Sequence, residues 1–457
     1  MKQTKQIHLV WAVLATGLMS FSGVLIETAM NVTFPTLIEQ FHLTTAQVQW
    51  VTTIYLLMIS IIVPLSTYLN RNFQLRSLFI FSNILFLTGI LLDFLSPSFS
   101  ILLFGRVLQG IATGIALPLM FHIILSYAPL NRRGAMMGLG TLTTAIAPAI
   151  GPTYGGILTD HLSWNHIFLF LIPVLLLSLC LGIWAIPAFP VKKSGKIDLL
   201  GLVSLTIFFS SSLIFLSNLG QPSSWIALLL AISSVYYFYI HSKKSAYPLI
   251  QLAILKNKTF RLFLFSFLVY QFLLLGVSFV LPNFIQLVQG NSPFVAGVAM
   301  LPGAAIGALL SPYSGRLLDT YGPKKPILIG LTFATTGWLI LTISLQGTLL
   351  WPLIACHIFY MIGIGLSYSN MMTTGMNALT ADEQADGNAL FNTLQQFSGA
   401  IATSLVATVI GLVQMMDRFS YTEATTLGSQ LALGILLVLV ALSFFFCVRY
   451  FSKEKRK

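Results

Sequence analysis

One carboxylate, Glu27, stands inside the apolar stretch SGVLIETAMNVTFP, residues 22 to 35, and one arginine, Arg106, stands inside FGRVLQGIATG, residues 104 to 114. An isolated charge in a membrane helix costs about 2.5 to 3.5 kcal/mol even on a lenient insertion scale, so each must face a cavity or a partner. A carboxylate in a low-dielectric cavity can hold a proton or a positively charged group, and swapping one for the other is exchange chemistry. Arginine does not give up its proton, but it can tune a neighbouring acid or relay a proton through its hydrogen bonds. At 1.5 Å per residue Glu27 lies roughly 12 Å and Arg106 roughly 9 Å from the same surface, so the two can be level. The alternative to exchange is a structural ion pair between them.

Other polar side chains stand at helical spacing in apolar surroundings. Asn31 lies four residues after Glu27, and Gln109 lies one turn after Arg106. Asn388, Asn392 and Gln395, within DGNALFNTLQQFSGAIATS, fall on one helix face. Each can line a polar cavity or simply bridge two helices, the commoner role of an amide in a membrane. In APAIGPTYGGIL, Gly151, Pro152, Gly155 and Gly156 lack side chains or a backbone donor, which permits close helix approach and a bend. Asp319, among Arg316, Lys324 and Lys325, can cap a helix and pair to hold one conformational state, or mark an ordinary turn. His122 and His357 are titratable but fit a neutral, satisfied helix role. Glu27 is the one acid placed well inside a helix; Asp93 and Asp160 stand near helix ends and could be drawn in.

The elements that position these residues follow from composition. Of 457 residues, 56% are hydrophobic and 8% charged, with mean hydropathy +0.87, which places the chain among integral membrane proteins. Apolar runs of about twenty residues recur along its length and give fourteen expected spans, the fifth over 134 to 158. With the N-terminus inside, the basic clusters, from Lys2 and Lys5 to the tail Lys453, Lys455, Arg456 and Lys457, fall on the cytoplasmic side, and only Arg418 lands outside. The net charge of +12 therefore reads as topology rather than as a nucleic-acid surface. The first apolar segment is too long for a signal peptide and is expected to be retained. Cys180, Cys356 and Cys447 show no pairing or metal-ligand spacing and read as packing residues. Walker, H-E-x-x-H and G-x-S-x-G motifs are absent, so neither an ATP-driven pump nor an enzyme is expected, and no cofactor or metal.

An internal repeat sets the domain plan. PLSTYLNRNFQLRS after the second span aligns without gaps with PYSGRLLDTYGPKK after the tenth, matching Pro64 to Pro312, Leu69 to Leu317, Phe73 to Tyr321 and Arg76 to Lys324. Equivalent loops follow the second helix of each half only if two helices are inserted between the halves. The expected units are 1–190, a six-helix half; 191–245, an inserted hairpin; and 246–457, a second six-helix half. Repeated halves around a central site are the architecture of secondary transporters.

The sequence resembles the major facilitator superfamily, and within it the fourteen-helix drug/proton antiporter branch. IETAMNVTFPTL is similar to the branch's acidic motif through Glu27, Asn31, Val32 and Pro35. GRVLQGIATG is similar to its arginine motif through Arg106, Gln109 and Gly110. APAIGPTYGGIL matches the antiporter motif through Gly151, Pro152, Gly155 and Gly156, and GRLLDTYGPKK matches the superfamily loop motif through Gly315, Leu317, Asp319, Gly322 and Lys324. The first-half copy of that loop departs, with Thr67, Arg71 and Gln74 where glycine, aspartate and glycine are usual, and Glu27 replaces the commoner aspartate. The resemblance implies an all-α, polytopic plasma-membrane protein of fourteen helices with both termini cytoplasmic.

It further implies a monomer that exports hydrophobic, cationic small molecules in exchange for protons, driven by the proton gradient and a membrane potential of about 2.3 kcal/mol per charge per 100 mV. Its partners would be those substrates, protons and membrane lipids. On this reading Glu27 and Arg106 couple protons, Asn31, Gln109, Asn388, Asn392 and Gln395 line the substrate cavity, and the glycine and loop motifs gate. A narrow exporter of one metabolite or lipid is the alternative on the same fold, and a non-transporting membrane sensor the alternative of a different class.

Overall fold

A computed structural model describes residues 7–188, 197–245, 248–345, 349–380 and 383–454. No strand occurs among the described residues; long helices joined by short turns make up almost all of them. In chain order they are α1 (Leu9–Phe41), α2 (Thr45–Leu65), α3 (Leu75–Phe94), α4 (Phe99–Tyr127), α5 (Leu130–His161), α6 (His166–Ala185), α7 (Leu199–Ser217), α8 (Ser224–Lys244), α9 (Lys258–Leu287), α10 (Pro293–Tyr321), α11 (Lys324–Ser344), α12 (Leu350–Asn377), α13 (Gln384–Gln414) and α14 (Tyr421–Glu454). Continuous apolar runs of about twenty residues cross lipid as helix, the form that satisfies every backbone N–H and C=O within its own segment.

Among the described residues, thirteen helices are long and apolar enough to cross a membrane. The helix outside that set is α5, which covers the expected span 134–158. At 32 residues its length suffices, but glycine, alanine and threonine replace the branched apolar residues, and Arg132 and Arg133 open it. Close helix contact rather than lipid solubility has shaped it: α5 packs along both α1 and α10.

Helices α1 to α6 form one group and α9 to α14 another. They meet along two seams, α5 against α10 and α2 against α13. Helix α7 lies over the second seam, touching both α2 and α13, while α8 packs on α7 and turns exposed Leu229, Ile232 and Tyr236 outward. The expected unit boundaries at 190/191 and 245/246 fall on residues 189–196 and 246–247, outside the described residues.

Where α1 reaches Asn31 its winding tightens to a 3-10 turn, Asn31–Thr33, and Pro35 restarts it as α-helix at the first turn, where a missing N–H costs nothing. Among the cysteines, Cys356 and Cys447 are buried packing residues as expected, whereas Cys180 is exposed on α6.

Candidate functional site

Glu27 sits on α1 one turn before the 3-10 segment and is 6% exposed. Among the described residues its carboxyl makes no hydrogen bond and no ion pair. It lies within electrostatic reach of Arg106 and Tyr55 in its own half and of Tyr368 in the other. An ionised carboxylate without partners is costly in a low-dielectric interior. A group so placed calls for a proton or an incoming cation.

Arg106 is fully buried on α4 and held on three sides. Its Nε donates to the Val51 carbonyl at 3.0 Å, its Nη1 donates to Gln109 Oε1 at 2.6 Å, and its guanidinium lies 4.2 Å from the centre of the Tyr55 ring. Its Nη2 has no hydrogen-bond partner among the described residues. Gln109 then donates from Nε2 to Asp93 Oδ2 at 2.7 Å. The two expected coupling residues are therefore neighbours without a direct bond, and the guanidinium is tied instead, through an amide, to Asp93. That acid, at the end of α3, is fully buried; Glu27 is thus not the only interior carboxylate. Asp160 by contrast is exposed.

The glycines of α5 bring this site together. A Cβ on Gly151 would stand 1.9 Å from Thr28 Oγ1, and one on Gly155 would stand 2.5 Å from the Ala29 carbonyl, so both abut α1 beside Glu27. On the opposite side, a Cβ on Gly156 would lie 2.4 Å from the Pro293 carbonyl oxygen, and one on Gly297 would lie 2.2 Å from that of Pro152. One glycine-rich helix thus touches the acid-bearing helix of its own half and α10 of the other half.

A wall that the sequence reading missed lies on the second half. The Tyr368 hydroxyl donates to Gln271 Oε1 at 2.7 Å and accepts from Gln395 Nε2 at 2.8 Å. Its ring stacks on Phe267, with centres 4.5 Å apart and planes inclined by 8°. Of the expected cavity residues, Gln395 joins this group. Asn31 instead accepts from Thr52 Oγ1 at 3.0 Å and is fully buried between α1 and α2. Gln109 is sealed inside the Arg106 chain, and Asn392 donates back to Asn388, which is exposed. His357 packs its ring against Gly303.

The loop motif is unengaged. Asp319 is exposed in the last turn of α10 and makes no ion pair among the described residues. It does not cap the next helix either, since the residue preceding α11 is Pro323. Gly322 has φ +72°, a left-handed conformation that favours glycine, whereas a Cβ at Gly315 would meet nothing within 4 Å. Lys324 opens α11 half-buried, and in the first-half loop Arg71 and Gln74 are exposed; the Thr67 side chain lies outside the described residues.

Comparison with known proteins adds the family. Residues 16–403 match the family described as Major Facilitator Superfamily. A lincomycin resistance protein of Listeria monocytogenes is 35% identical over 88% of this chain and 87% of its own length. Another of Bacillus subtilis is 34% identical over 90% and 88%. Among solved structures, a bacterial homologue of the human lysosomal transporter Spinster, crystallised in an inward-facing and unoccupied conformation, superposes with a TM-score of 0.69 at 15% identity, covering 97% of this chain and 98% of that one.

Proposed function

The chain belongs to the major facilitator superfamily, and from that premise we propose that it exports amine-bearing, partly apolar drugs in exchange for protons by alternating access. The observation that carries this reading is the Glu27 carboxyl, 6% exposed and bonded to nothing among the described residues, between the halves' facing groups Arg106 and Tyr368. Such an acid accepts a proton when no substrate is present and a cationic amine when one is. The two occupants exclude each other, which is the condition for antiport.

The Tyr368, Gln271 and Gln395 group supplies hydroxyl and amide contacts on the other side, and Phe267 an aromatic backing. A basic nitrogen beside polar groups on an apolar frame fits between the two walls. The relatives named for lincomycin resistance favour an antibiotic of that chemistry over a wide range of dyes. On this reading α5 is the fourteenth span, the basic loops and both termini are cytoplasmic, the membrane is the plasma membrane and the unit is a monomer.

The test is uptake into inverted vesicles under an imposed proton gradient, with lincomycin and ethidium as separate probes and Glu27→Gln as the comparison. Gradient-driven uptake by the intact protein that is lost in Glu27→Gln supports the proposal. Uptake of lincomycin alone assigns a narrow exporter, and uptake of neither probe removes the drug reading.

A further inference from the structure

Arg106 has two carboxylates in its surroundings, and only one of them is open to exchange. Glu27 is 6% exposed and within electrostatic reach of Tyr368 in the other half. Asp93 is 0% exposed, and its Oδ1 lies so close to α4 that a Cβ on Gly105 would stand 1.8 Å from it. Substrate therefore cannot reach Asp93, and its link to the rest of the site runs through Gln109. That amide accepts from Arg106 Nη1 at 2.6 Å with its oxygen and donates to Asp93 Oδ2 at 2.7 Å with its nitrogen. Asp93 Oδ1 and Arg106 Nη2 are both left without hydrogen-bond partners among the described residues.

We propose that Asp93 is a second acid of the coupling machinery, a positioning residue that balances the Arg106 guanidinium whenever Glu27 is occupied by a proton or by substrate. This inference rests on the exchange reading of Glu27 given above. When Glu27 carries a proton, its charge no longer compensates Arg106, and a fully buried guanidinium needs another counter-charge. Asp93 supplies it through the oriented Gln109 amide. When Glu27 is ionised, the sealed Asp93 keeps Arg106 from neutralising Glu27 outright, so the acid stays available to protons and cations. The groups facing this chain are few. From α4 come Arg106, Gln109 and Gly105, and from α2 the Tyr55 ring over Arg106. At the start of α6, Asn165 Nδ2 donates to the Phe94 carbonyl, and His166 lies edge-on to Phe94 while its Nδ1 is hydrogen-bonded with Ser163 Oγ.

Asp93→Asn tests this directly, because asparagine keeps the shape and the acceptor for Gln109 and removes only the charge. Two rates are read in vesicles containing the full-length protein: proton-gradient-driven uptake of the probe established for the intact protein, and counterflow exchange of that probe without a gradient. The expected result is a loss of driven uptake of about tenfold or more, with the pH profile moved about one unit toward acid and counterflow retained. Unchanged driven uptake and pH profile would overturn the proposal. So would equal loss of both rates in a variant whose thermal unfolding is unchanged, since that marks a role in binding or packing. If Asp93→Asn does not insert, Gln109→Met cuts the same link and carries the same expectations. Glu27→Gln, run alongside, separates the two claims: if it retains driven uptake, the exchange reading fails whatever Asp93 does.

Discussion

The Thr45 hydroxyl donates a 2.7 Å hydrogen bond to Gln414 Oε1, joining residues 369 positions apart at one end of the bundle. The same end holds the bond from Gln286 Nε2 to the Val32 carbonyl at 2.8 Å and the bond from Thr153 Oγ1 to the Gly297 carbonyl at 3.1 Å. At the other end, Asp319 and Arg316 are exposed and make no ion pair among the described residues. The protein is thus latched at the end away from its basic loops. Cysteines at positions 45 and 414, in a background with the exposed Cys180 replaced by serine, should cross-link on oxidation, and transport should stop until the disulfide is reduced. Undiminished transport by the cross-linked protein would show that this end does not have to open.

The glycines of α5 predict a graded effect of size. Gly155→Ala forces a Cβ to 2.5 Å from the Ala29 backbone, and overpacking of this kind costs about 1 to 3 kcal/mol. Backbone cannot swing aside as a side chain can. Gly434→Ala is the matched control, because a Cβ there would meet nothing within 4 Å. Thermal unfolding should fall measurably for the first substitution and stay level for the second.

Arg106→Lys keeps the charge and loses the geometry. Lysine cannot bond Val51 and Gln109 at once while stacking on Tyr55, as the planar guanidinium does. The variant should remain inserted, yet lose driven uptake by at least about tenfold, a deficit of roughly 1.4 kcal/mol. Arg106→Ala, which also strands Asp93 in the interior, should lower stability by about 3 to 5 kcal/mol. Unfolding in detergent and uptake in vesicles, measured on both variants, separate the two effects.

The α7–α8 hairpin is held to the second seam by aromatic contact. Phe397 of α13 lies 4.2 Å from Phe209 and 5.5 Å from Phe208, ring centre to ring centre. Ser217 adds polar contacts, accepting from Gln49 Nε2 at 3.3 Å and bonding with the Ser404 hydroxyl at 3.2 Å. Phe397→Ala should loosen this attachment, with a cost of about 3 to 5 kcal/mol for a buried aromatic. Faster proteolysis in the loops flanking α7 and α8 would report it, and an unchanged cleavage pattern would argue that the hairpin is held elsewhere.

Hydropathy made the helices legible because a membrane allows little else, and α5 shows the limit of that signal. Its glycines suit close contact with α1 and α10, so it does not look apolar, although its motif and its length marked it. Glu27, Arg106 and Gln109 were legible because a polar group in an apolar helix requires a reason. Asp93 carried no motif or spacing signal and was legible only as an acid near a helix end that could be drawn inward, as the fold does against Gly105. Tyr368 and Gln271 carried no spacing signal either. Their meaning comes from Gln395, almost thirty residues further on, and from the carboxylate facing them across the halves.

The central claim is that Glu27 holds either a proton or a cationic substrate, never both. Its most direct test is proton release on substrate binding, followed with a pH-indicator dye in weakly buffered detergent solution of the purified protein. Adding saturating lincomycin, or the cationic probe the protein is found to carry, should release protons from the intact protein and none from Glu27→Gln. Equal release from both proteins, or binding without release by the intact protein, would contradict the account.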